Sequence, residues 1–315
     1  MTYHVVYHRK DLDGICSGGI VYRALREKNV DDSDIVMVPH DYSDPTDWIR
    51  KVKLGDSVYL VDISLSRPDW ATLLGIVGVK VVWIDHHSTA IQDYLGSDSV
   101  KGWKNEFQHL PGAIEVFLGD SRNNKAGCYL TWEYFEKTRP VPPIVQELSR
   151  FDVWDNEDKT RWENIVMPIH HIIGLIWKDP KSPPNYAFDE ALAPDVMVNL
   201  IGTGKLLYDA HKKQLASASR AAFETNVFDL PAVVLNAGGA GSLAFEKVYD
   251  PAKHKLMVSF AYDGPNKTWN VGLYSTHDDV HCGKLAKLFK GGGHAGAAGF
   301  SVKKLSEAFP KYFSE

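Results

Sequence analysis

Short apolar runs alternate with helix-like segments along the first half of the chain. Five apolar runs predict β-strands, at Tyr3–Tyr7, Ile35–Pro39, Ser57–Asp62, Val79–Ile84 and Ala113–Leu118. Apolar residues at helical spacing predict helices at Ser17–Lys28, Trp48–Val52, Pro68–Leu74, Gly127–Lys137 and Pro142–Phe151. Strands and helices that alternate in this way are typical of a mainly parallel sheet covered by helices on both faces.

The pattern changes in the second half of the chain. Three prolines interrupt Lys178–Tyr186, and one long helix is predicted from Asp195 to about Phe223. Short strands follow, at Ala232–Asn236, Lys255–Tyr262 and Trp269–Tyr274, before a last helix at Cys282–Phe289. We therefore predict an α/β protein with an N-terminal, mainly parallel-sheet domain over residues 1–190. We predict that a helical linker follows over 191–225, and that the chain continues with a smaller C-terminal α/β domain over 226–315.

Polar side chains follow several of the predicted strands at the point where each strand ends. They comprise His8, Asp11 and Asp13 in the first loop, Asp62, the run Asp85-His86-His87, and Asp152 near a helix end. Ligands gather at the carboxyl edge of open α/β sheets, and carboxylates with imidazoles suit two hard divalent cations. Taken singly, each has another explanation: a solvated Asp-x-Asp-Gly turn, or a helix cap at Asp62. Asp155 offers the same chemistry as Asp152, so the sequence leaves the choice between these two open.

Composition restricts the class of substrate. The chain has 315 residues, of which 44% are hydrophobic and 24% charged, and its formal net charge is -5. This balance does not favour long nucleic acid, including long duplexes, but is compatible with a short phosphorylated substrate. Three cysteines without a CxxC pair predict reduced thiols in a cytoplasmic protein and no thiolate zinc site. Neither a signal segment nor a membrane span is expected from the apolar pattern.

The ordered motifs resemble those of a known superfamily. The series His8…Asp11-Leu12-Asp13-Gly14, Asp62, Asp85-His86-His87 and Asp152 is similar to that of DHH phosphoesterases. The tail Gly291-Gly292-Gly293-His294…Ala297-Ala298-Gly299-Phe300 resembles the signature of the associated DHHA1 domain. In many relatives three residues separate the first histidine from the aspartate, whereas only Arg9 and Lys10 separate His8 from Asp11 here.

This resemblance implies two divalent cations, with Mn²⁺ favoured. His8 and Asp11 would hold one cation, Asp13, His86 and Asp152 would hold the other, and Asp62 would bridge both. Asp85 would support the neighbouring imidazoles, and His87 would lie near the phosphate or the leaving group. Manganese is favoured over zinc because no thiolate is present, while magnesium, cobalt and iron accept the same ligands.

The glycine-rich tail and a few other residues are the candidates for substrate binding. Gly291, Gly292 and Gly293 could form a helix cap and loop, or could let backbone N–H groups approach a substrate phosphate or base. We expect the second role, with the tail facing the metals across an interdomain cleft and His294 contacting a phosphate or sugar. Ser275 matches a family position, and Arg9 is either a phosphate-neutralising or a solvated cation.

Within the superfamily the chain is most similar to short DHH-DHHA1 proteins that cleave small nucleotides and oligonucleotides. We therefore predict a manganese-dependent phosphoesterase that releases mononucleotides from short oligonucleotides through a metal-activated water. The alternatives are hydrolysis of polyphosphate, of a 3′-phosphorylated nucleotide or of a cyclic dinucleotide, and a non-enzymatic nucleotide sensor. The expected partner is a short nucleotide, with no membrane involved, and a homodimer is left open.

Overall fold

Five parallel strands form the main sheet of the computed structural model, which describes residues 1–97, 100–119, 125–239 and 241–309. The strands of this N-terminal part are β1 (Tyr3–His8), β2 (Ile35–His40), β3 (Ser57–Val61), β4 (Lys80–Asp85), the two-stranded ribbon β5 (Gly96–Ser97) and β6 (Val100–Lys101), and β7 (Ala113–Leu118). The main sheet has the order β2-β1-β3-β4-β7, with every neighbouring pair parallel. The predicted parallel sheet is thus confirmed, and all its carboxyl ends lie at one edge.

Helices connect these strands and follow them. They are α1 (Leu12–Glu27), α2 (Arg67–Leu74), α3 (Ser88–Leu95), α4 (Gly127–Phe135), α5 (Pro143–Asp152), α6 (Lys159–Arg161), α7 (Met167–Ile176) and α8 (Pro194–Ala218). Short 3₁₀ turns occur at Asp32–Asp34 and Asp47–Lys51, and a π-turn at Trp162–Val166 joins α6 to α7. Helix α1 begins five residues before the predicted Ser17, because the Asp11 side chain caps it by accepting a hydrogen bond from the Gly14 N–H at 2.9 Å.

Apolar side chains cover both faces of the parallel sheet. Val5 and Val6 are adjacent in β1 and fully buried, and they pack into different hydrophobic clusters on opposite faces. One cluster contains a group of tryptophans in which the Trp83 ring lies 5.2 Å from Trp70 and 5.8 Å from Trp103. The Trp83 indole donates to the Ile63 carbonyl at 3.0 Å, so its one polar group is satisfied.

The chain divides into two compact units, Met1–Tyr208 and Asp209–Glu315, with the boundary inside α8. The second unit contains a six-stranded mixed sheet with the order β12-β13-β11-β10-β9-β8. Its elements are a 3₁₀ turn (Ser219–Ala221), β8 (Phe223–Val227), β9 (Leu230–Asn236), a second 3₁₀ turn (Ser242–Phe245), β10 (Leu256–Asp263), β11 (Thr268–Tyr274), α9 (Cys282–Lys287), β12 (Gly292–Gly293), β13 (Ala297–Val302) and α10 (Leu305–Ala308). The predicted α/β class therefore holds for the second unit as well.

Two further observations concern the described residues. None of their helices combines the length and the apolar character that crossing a bilayer requires. The three cysteines, Cys16, Cys128 and Cys282, are free thiols and all are buried.

Candidate metal centre

The carboxyl edge of the parallel sheet brings the predicted ligands of the first unit together. His8 is the last residue of β1, Asp62 directly follows β3, and Asp85 ends β4 ahead of His86 and His87. Two groups of candidate ligands there concern the predicted cations, one of His8, Asp11 and Asp62 and the other of Asp13, Asp62 and His86, and a further group joins Asp62 to Asp85 and His87. Within each group one ligand atom from every residue lies within 4.8 Å of the others. These two groups share their members with the ligand sets implied by the resemblance, although Asp152 is not a member of the second group.

The first group depends on a close approach between β1 and the start of α1. His8 Nδ1 lies 2.8 Å from Asp11 Oδ2 and 3.6 Å from Asp62 Oδ2. A Cβ atom at Gly14 would lie 2.0 Å from the His8 carbonyl oxygen, so only glycine allows the helix to begin here. Gly14 therefore holds Asp11 and His8 on the same side of the site.

The second group is arranged around the imidazole of His86. His86 Nε2 lies 3.2 Å from Asp62 Oδ1, 3.4 Å from Asp13 Oδ2 and 3.3 Å from Asp152 Oδ2. Asp152 reaches it as the last residue of α5. Asp155 instead forms an ion pair with Arg150. The structure thus brings Asp152, and not Asp155, to the other candidate ligands.

Asp62 is common to both groups. Its side chain is 1% exposed, and among the described residues neither of its carboxylate oxygens has a hydrogen-bond partner. Its backbone has a φ of +58°, a left-handed conformation that aspartate adopts more readily than most residues. A buried ionised carboxylate without donors costs several kcal/mol unless a cation pairs with it. This pair of oxygens therefore fits a shared divalent cation partner.

Crowding of the carboxylates shifts their protonation. Burial, followed by the charge of Asp62, raises the pKa of Asp13 to about 8. Burial and the charges of Asp13 and Asp62 raise the pKa of Asp152 well above its ordinary range, and burial with Asp11 raises that of Asp62. Repulsion of this kind is relieved when a divalent cation binds between the carboxylates. The donor set of carboxylate and imidazole, without thiolate, fits Mn²⁺ or Mg²⁺.

The carboxylates of Asp85 and Asp13 accept backbone hydrogen bonds that fix their orientation. Asp85 Oδ1 accepts hydrogen bonds from the backbone N–H groups of His86 and His87 at 2.7 and 3.1 Å, and lies 2.7 Å from His87 Nδ1. Burial opposes protonation of His87, but the charge of Asp85 outweighs it and raises the pKa of His87 to about 9. Asp13 accepts from the N–H groups of Gly127 and Cys128 at 2.8 and 2.7 Å.

The N-terminal part of the chain is similar in sequence to a known family. Residues 3–141 match the model of the DHH family, N-terminal domain. This chain carries a DHH-family domain. Members of the DHH family are phosphoesterases, which is the class of activity that the buried carboxylate and imidazole site supports.

Relatives of the whole chain are distant in sequence. An uncharacterized protein of Acanthamoeba polyphaga mimivirus is 21% identical over 327 residues, which cover 97% of this chain and 69% of that protein. A solved DHH-domain protein described as a member of the s1p family of ribosomal proteins has a TM-score of 0.62 at 15% identity, covering 100% of this chain and 87% of that one. A pGpG-specific phosphodiesterase of Vibrio cholerae has a TM-score of 0.44 at 14% identity, covering 99% and 96%. The first of these two structures establishes a DHH-like fold.

Two residues of the candidate site were not predicted from the sequence. A Cβ atom at Gly127 would lie 2.8 Å from the Asp62 Cβ and 3.0 Å from Asp13 Oδ2, so the site requires glycine there. Asp41 directly follows β2 and places Oδ1 3.5 Å from His8 Nε2. The rule that singled out the other strand ends would have found Asp41, since the apolar run Ile35–Pro39 ends in His40-Asp41.

The residues predicted to bind substrate lie in three different settings. Gly291, Gly292, Gly293 and His294 lead into and through the β12–β13 hairpin, and the Ser275 hydroxyl donates to the Lys255 carbonyl at 2.8 Å. Arg9, beside the metal ligands, forms two hydrogen bonds of 2.8 Å to Asp44. Their roles toward a substrate remain predictions.

Proposed function

We propose that this DHH-family protein uses two divalent cations, preferably Mn²⁺, to hydrolyse phosphoester bonds in short nucleotides. The reaction that we favour is the release of mononucleotides from the ends of short oligonucleotides. The observation that carries this proposal is Asp62, a buried carboxylate shared by two ligand groups, whose oxygens lie 3.6 Å from His8 and 3.2 Å from His86 but accept no well-directed hydrogen bond from the described residues. A carboxylate in this position suits a bridge between two cations.

Seven side chains of the first unit would bind the cations or act on the substrate. His8, Asp11 and Asp62 would hold one cation, and Asp13, His86 and Asp152 would hold the other together with Asp62. When bound, the cations would lower the pKa of a water molecule and offset the charge that develops on the phosphoryl group. The seventh, His87, lies beside these ligands with its ring oriented by Asp85 at 2.7 Å.

His87 is suited to interact with a negatively charged oxygen of the substrate. Asp85, 2.7 Å from Nδ1, favours the protonated imidazole against the effect of burial. A protonated imidazole can donate to a phosphate oxygen or give its proton to the leaving oxygen. Asp85 would act only through His87, by holding the ring in one orientation. Arg9, held by Asp44, would attract further substrate phosphates.

The glycine-rich segment would bind the end of the substrate. A Cβ at Gly291 would collide with the Gly299 carbonyl at 2.2 Å, and Gly293 has a φ of +135°, so the hairpin itself requires these two glycines. Gly292 has neither a positive φ nor any atom within 4 Å of a Cβ placed there. Close approach of a ligand is a reason for glycine at that position. We propose that this backbone and His294 contact a phosphate or sugar, in keeping with the resemblance to the DHHA1 signature.

A product assay tests the proposal. The purified protein is incubated with Mn²⁺ and, separately, with pApA, a short RNA, a long RNA, a cyclic dinucleotide and polyphosphate, each with and without chelator. We expect chelator-sensitive release of mononucleotides from the two short RNAs and little from the long one. Turnover of polyphosphate or of the cyclic dinucleotide alone would replace the substrate class, and turnover of none of them would favour a nucleotide sensor.

The variant Asp62→Asn provides the matched test of the bridging role. Asparagine tolerates the left-handed backbone at this position, whereas alanine would add strain there. We expect hydrolysis to fall by at least about 100-fold, with the thermal midpoint of the chelated protein kept or raised because a buried charge is removed. Full activity in this variant would overturn the bridging assignment.

A further inference from the structure

Asp41 lies at the same sheet edge as the candidate ligands but belongs to neither ligand group. It follows β2 and is 8% exposed. Its Oδ1 lies 3.5 Å from Nε2 of His8, the ring nitrogen opposite the one that faces Asp11 and Asp62. His8 therefore stands between the candidate metal position on its Nδ1 side and a buried carboxylate on its Nε2 side.

We propose that Asp41 is a positioning residue for His8, one that fixes which nitrogen of the imidazole is available to a cation. A neutral imidazole has one N–H and one lone pair, and only the lone pair binds a metal. When a cation is held by Asp11 and Asp62 on the Nδ1 side, the Asp41 carboxylate favours the proton on Nε2, which leaves the Nδ1 lone pair for the cation. Histidine ligands of metals are commonly oriented in this way by a second carboxylate. The inference rests on the proposed function, because it assumes that a cation binds at His8.

The hydrogen bonds of Asp41 support a positioning role rather than a ligand role. Its Oδ2 accepts the Ser43 hydroxyl at 2.8 Å and lies 3.3 Å from Lys10 Nζ, so this oxygen is already paired. Its Oδ1 faces His8. The contact of 3.5 Å is longer than a typical N–H···O bond, and such bonds often shorten when a site is filled.

The same strand contains a natural control at its opposite end. His4, near the start of β1, lies 3.2 Å from Asp56, whose side chain also accepts from the Thr2 N–H at 2.8 Å. Asp56 is 4% exposed, so Asp41→Asn and Asp56→Asn each alter the contact between a buried aspartate and a histidine of β1. They differ in that Asp56 lies at the amino edge of the sheet, away from the candidate metal ligands.

Mn²⁺ binding distinguishes the Asp41→Asn variant from the Asp56→Asn variant. Binding is measured on the full chain by calorimetry and electron paramagnetic resonance. We expect the wild type to bind two ions, Asp41→Asn to lose about 10- to 100-fold in affinity at one site with the other within about twofold, and Asp56→Asn to match the wild type. The positioning role would be overturned if Asp41→Asn bound Mn²⁺ at both sites with wild-type affinity. An equal loss of Mn²⁺ affinity in Asp56→Asn would overturn it as well. A wild type that binds no divalent cation would overturn the proposed function together with this inference.

Nuclear magnetic resonance gives a readout that is independent of affinity. In the Mg²⁺-loaded protein, ¹⁵N–¹H correlations of the imidazole rings identify the protonated nitrogen of each histidine. We expect His8 to carry its proton on Nε2 in the wild type and in Asp56→Asn. A proton on Nδ1 of His8 in the wild type would refute the positioning role even if the affinities followed the expected pattern.

Discussion

At the scale of single residues, the hydrogen-bond donors around a buried aspartate decide what that aspartate can do. Asp62 and Asp85 both lie at the carboxyl ends of strands and are almost completely buried. Burial alone would raise the pKa of both. His87 and two backbone N–H groups outweigh burial at Asp85 and lower its pKa, whereas the pKa of Asp62, beside Asp11, is raised. Asp85 is therefore suited to orienting His87, and Asp62 to binding a cation.

The same reasoning separates two neighbouring aspartates, Asp152 and Asp155. We predict that Asp152→Asn lowers Mn²⁺ affinity and hydrolysis by at least about 10-fold, because its Oδ2 is one of the oxygens around His86. Asp155→Asn should leave both unchanged and cost at most about 1 kcal/mol, the value of its partly exposed ion pair with Arg150. Metal titration and thermal unfolding of both variants check this. Equal losses of affinity in the two would contradict the assignment.

At the scale of elements, two helix N-termini meet the carboxyl edge of the sheet. Helix α1 begins beside His8, and α4 directs the N–H groups of Gly127 and Cys128 at the Asp13 carboxylate. The positive end of a helix dipole favours an anion at that position. Helix α4 thus holds Asp13 in one orientation, with its Oδ2 3.4 Å from His86 Nε2.

This close approach makes Gly127 a sensitive position. We predict that Gly127→Ala displaces Asp62 and costs about 1–3 kcal/mol, because the new Cβ would lie 2.8 Å from the Asp62 Cβ. A displacement of this kind should also reduce hydrolysis by about 100-fold. Activity assays and thermal unfolding measure the two effects.

Gly202 in α8 provides the control for Gly127. A Cβ there meets no atom within 4 Å, so Gly202→Ala should stabilise the helix by about 0.5–1 kcal/mol and leave activity unchanged. An active Gly127→Ala protein would show that Asp62 has room to move without losing its function.

At the scale of the whole molecule, the crowded carboxylates link stability to pH and to metal. Burial and Asp62 raise the pKa of Asp13 from 3.8 to about 8, so the folded state keeps a proton that the unfolded state has released. The stability that this proton gives is complete below pH 3.8 and is lost as the pH rises toward 8. His87, raised from 6.5 to about 9, adds a loss above pH 6.5. The lowered pKa of His86 acts in the opposite direction, but its gain is complete by pH 6.5.

We therefore predict that the metal-free protein becomes less stable between pH 6.5 and 8. Mn²⁺ should raise the thermal midpoint most at the upper end of this range, since a cation replaces the protons that the carboxylates lose. Thermal unfolding in chelator and in Mn²⁺, across the same pH values, measures both effects. A midpoint independent of pH in chelator would show that the carboxylates do not repel one another as their geometry implies.

Much of the N-terminal fold could be predicted from the sequence. The strand predicted at Ala113–Leu118 has the observed bounds, and those at Tyr3–Tyr7 and Val79–Ile84 are shifted or shortened by one residue. Strong apolar runs bounded by polar residues have few alternatives to a buried strand. Helix α3 was not predicted, because its start follows directly on His86-His87 and its periodicity is short. The start of α1 was placed late because its first turn consists of polar and small residues.

The sequence by itself determined which chemical groups stand at the strand ends, because in a parallel sheet all carboxyl ends share one edge. It therefore supplied the candidates His8, Asp11, Asp13, Asp62, His86 and Asp152 before any coordinates. Only the tertiary structure placed Asp152 beside His86 and Asp155 against Arg150, and it added Gly127 and Asp41 to the surroundings of the site. These depend on which side chains approach within a few ångströms across elements that are distant in the chain. Spacing along the chain does not encode such distances. They are fixed by the packing of α4 and α5 at the carboxyl edge of the sheet and by the pairing of β2 with β1.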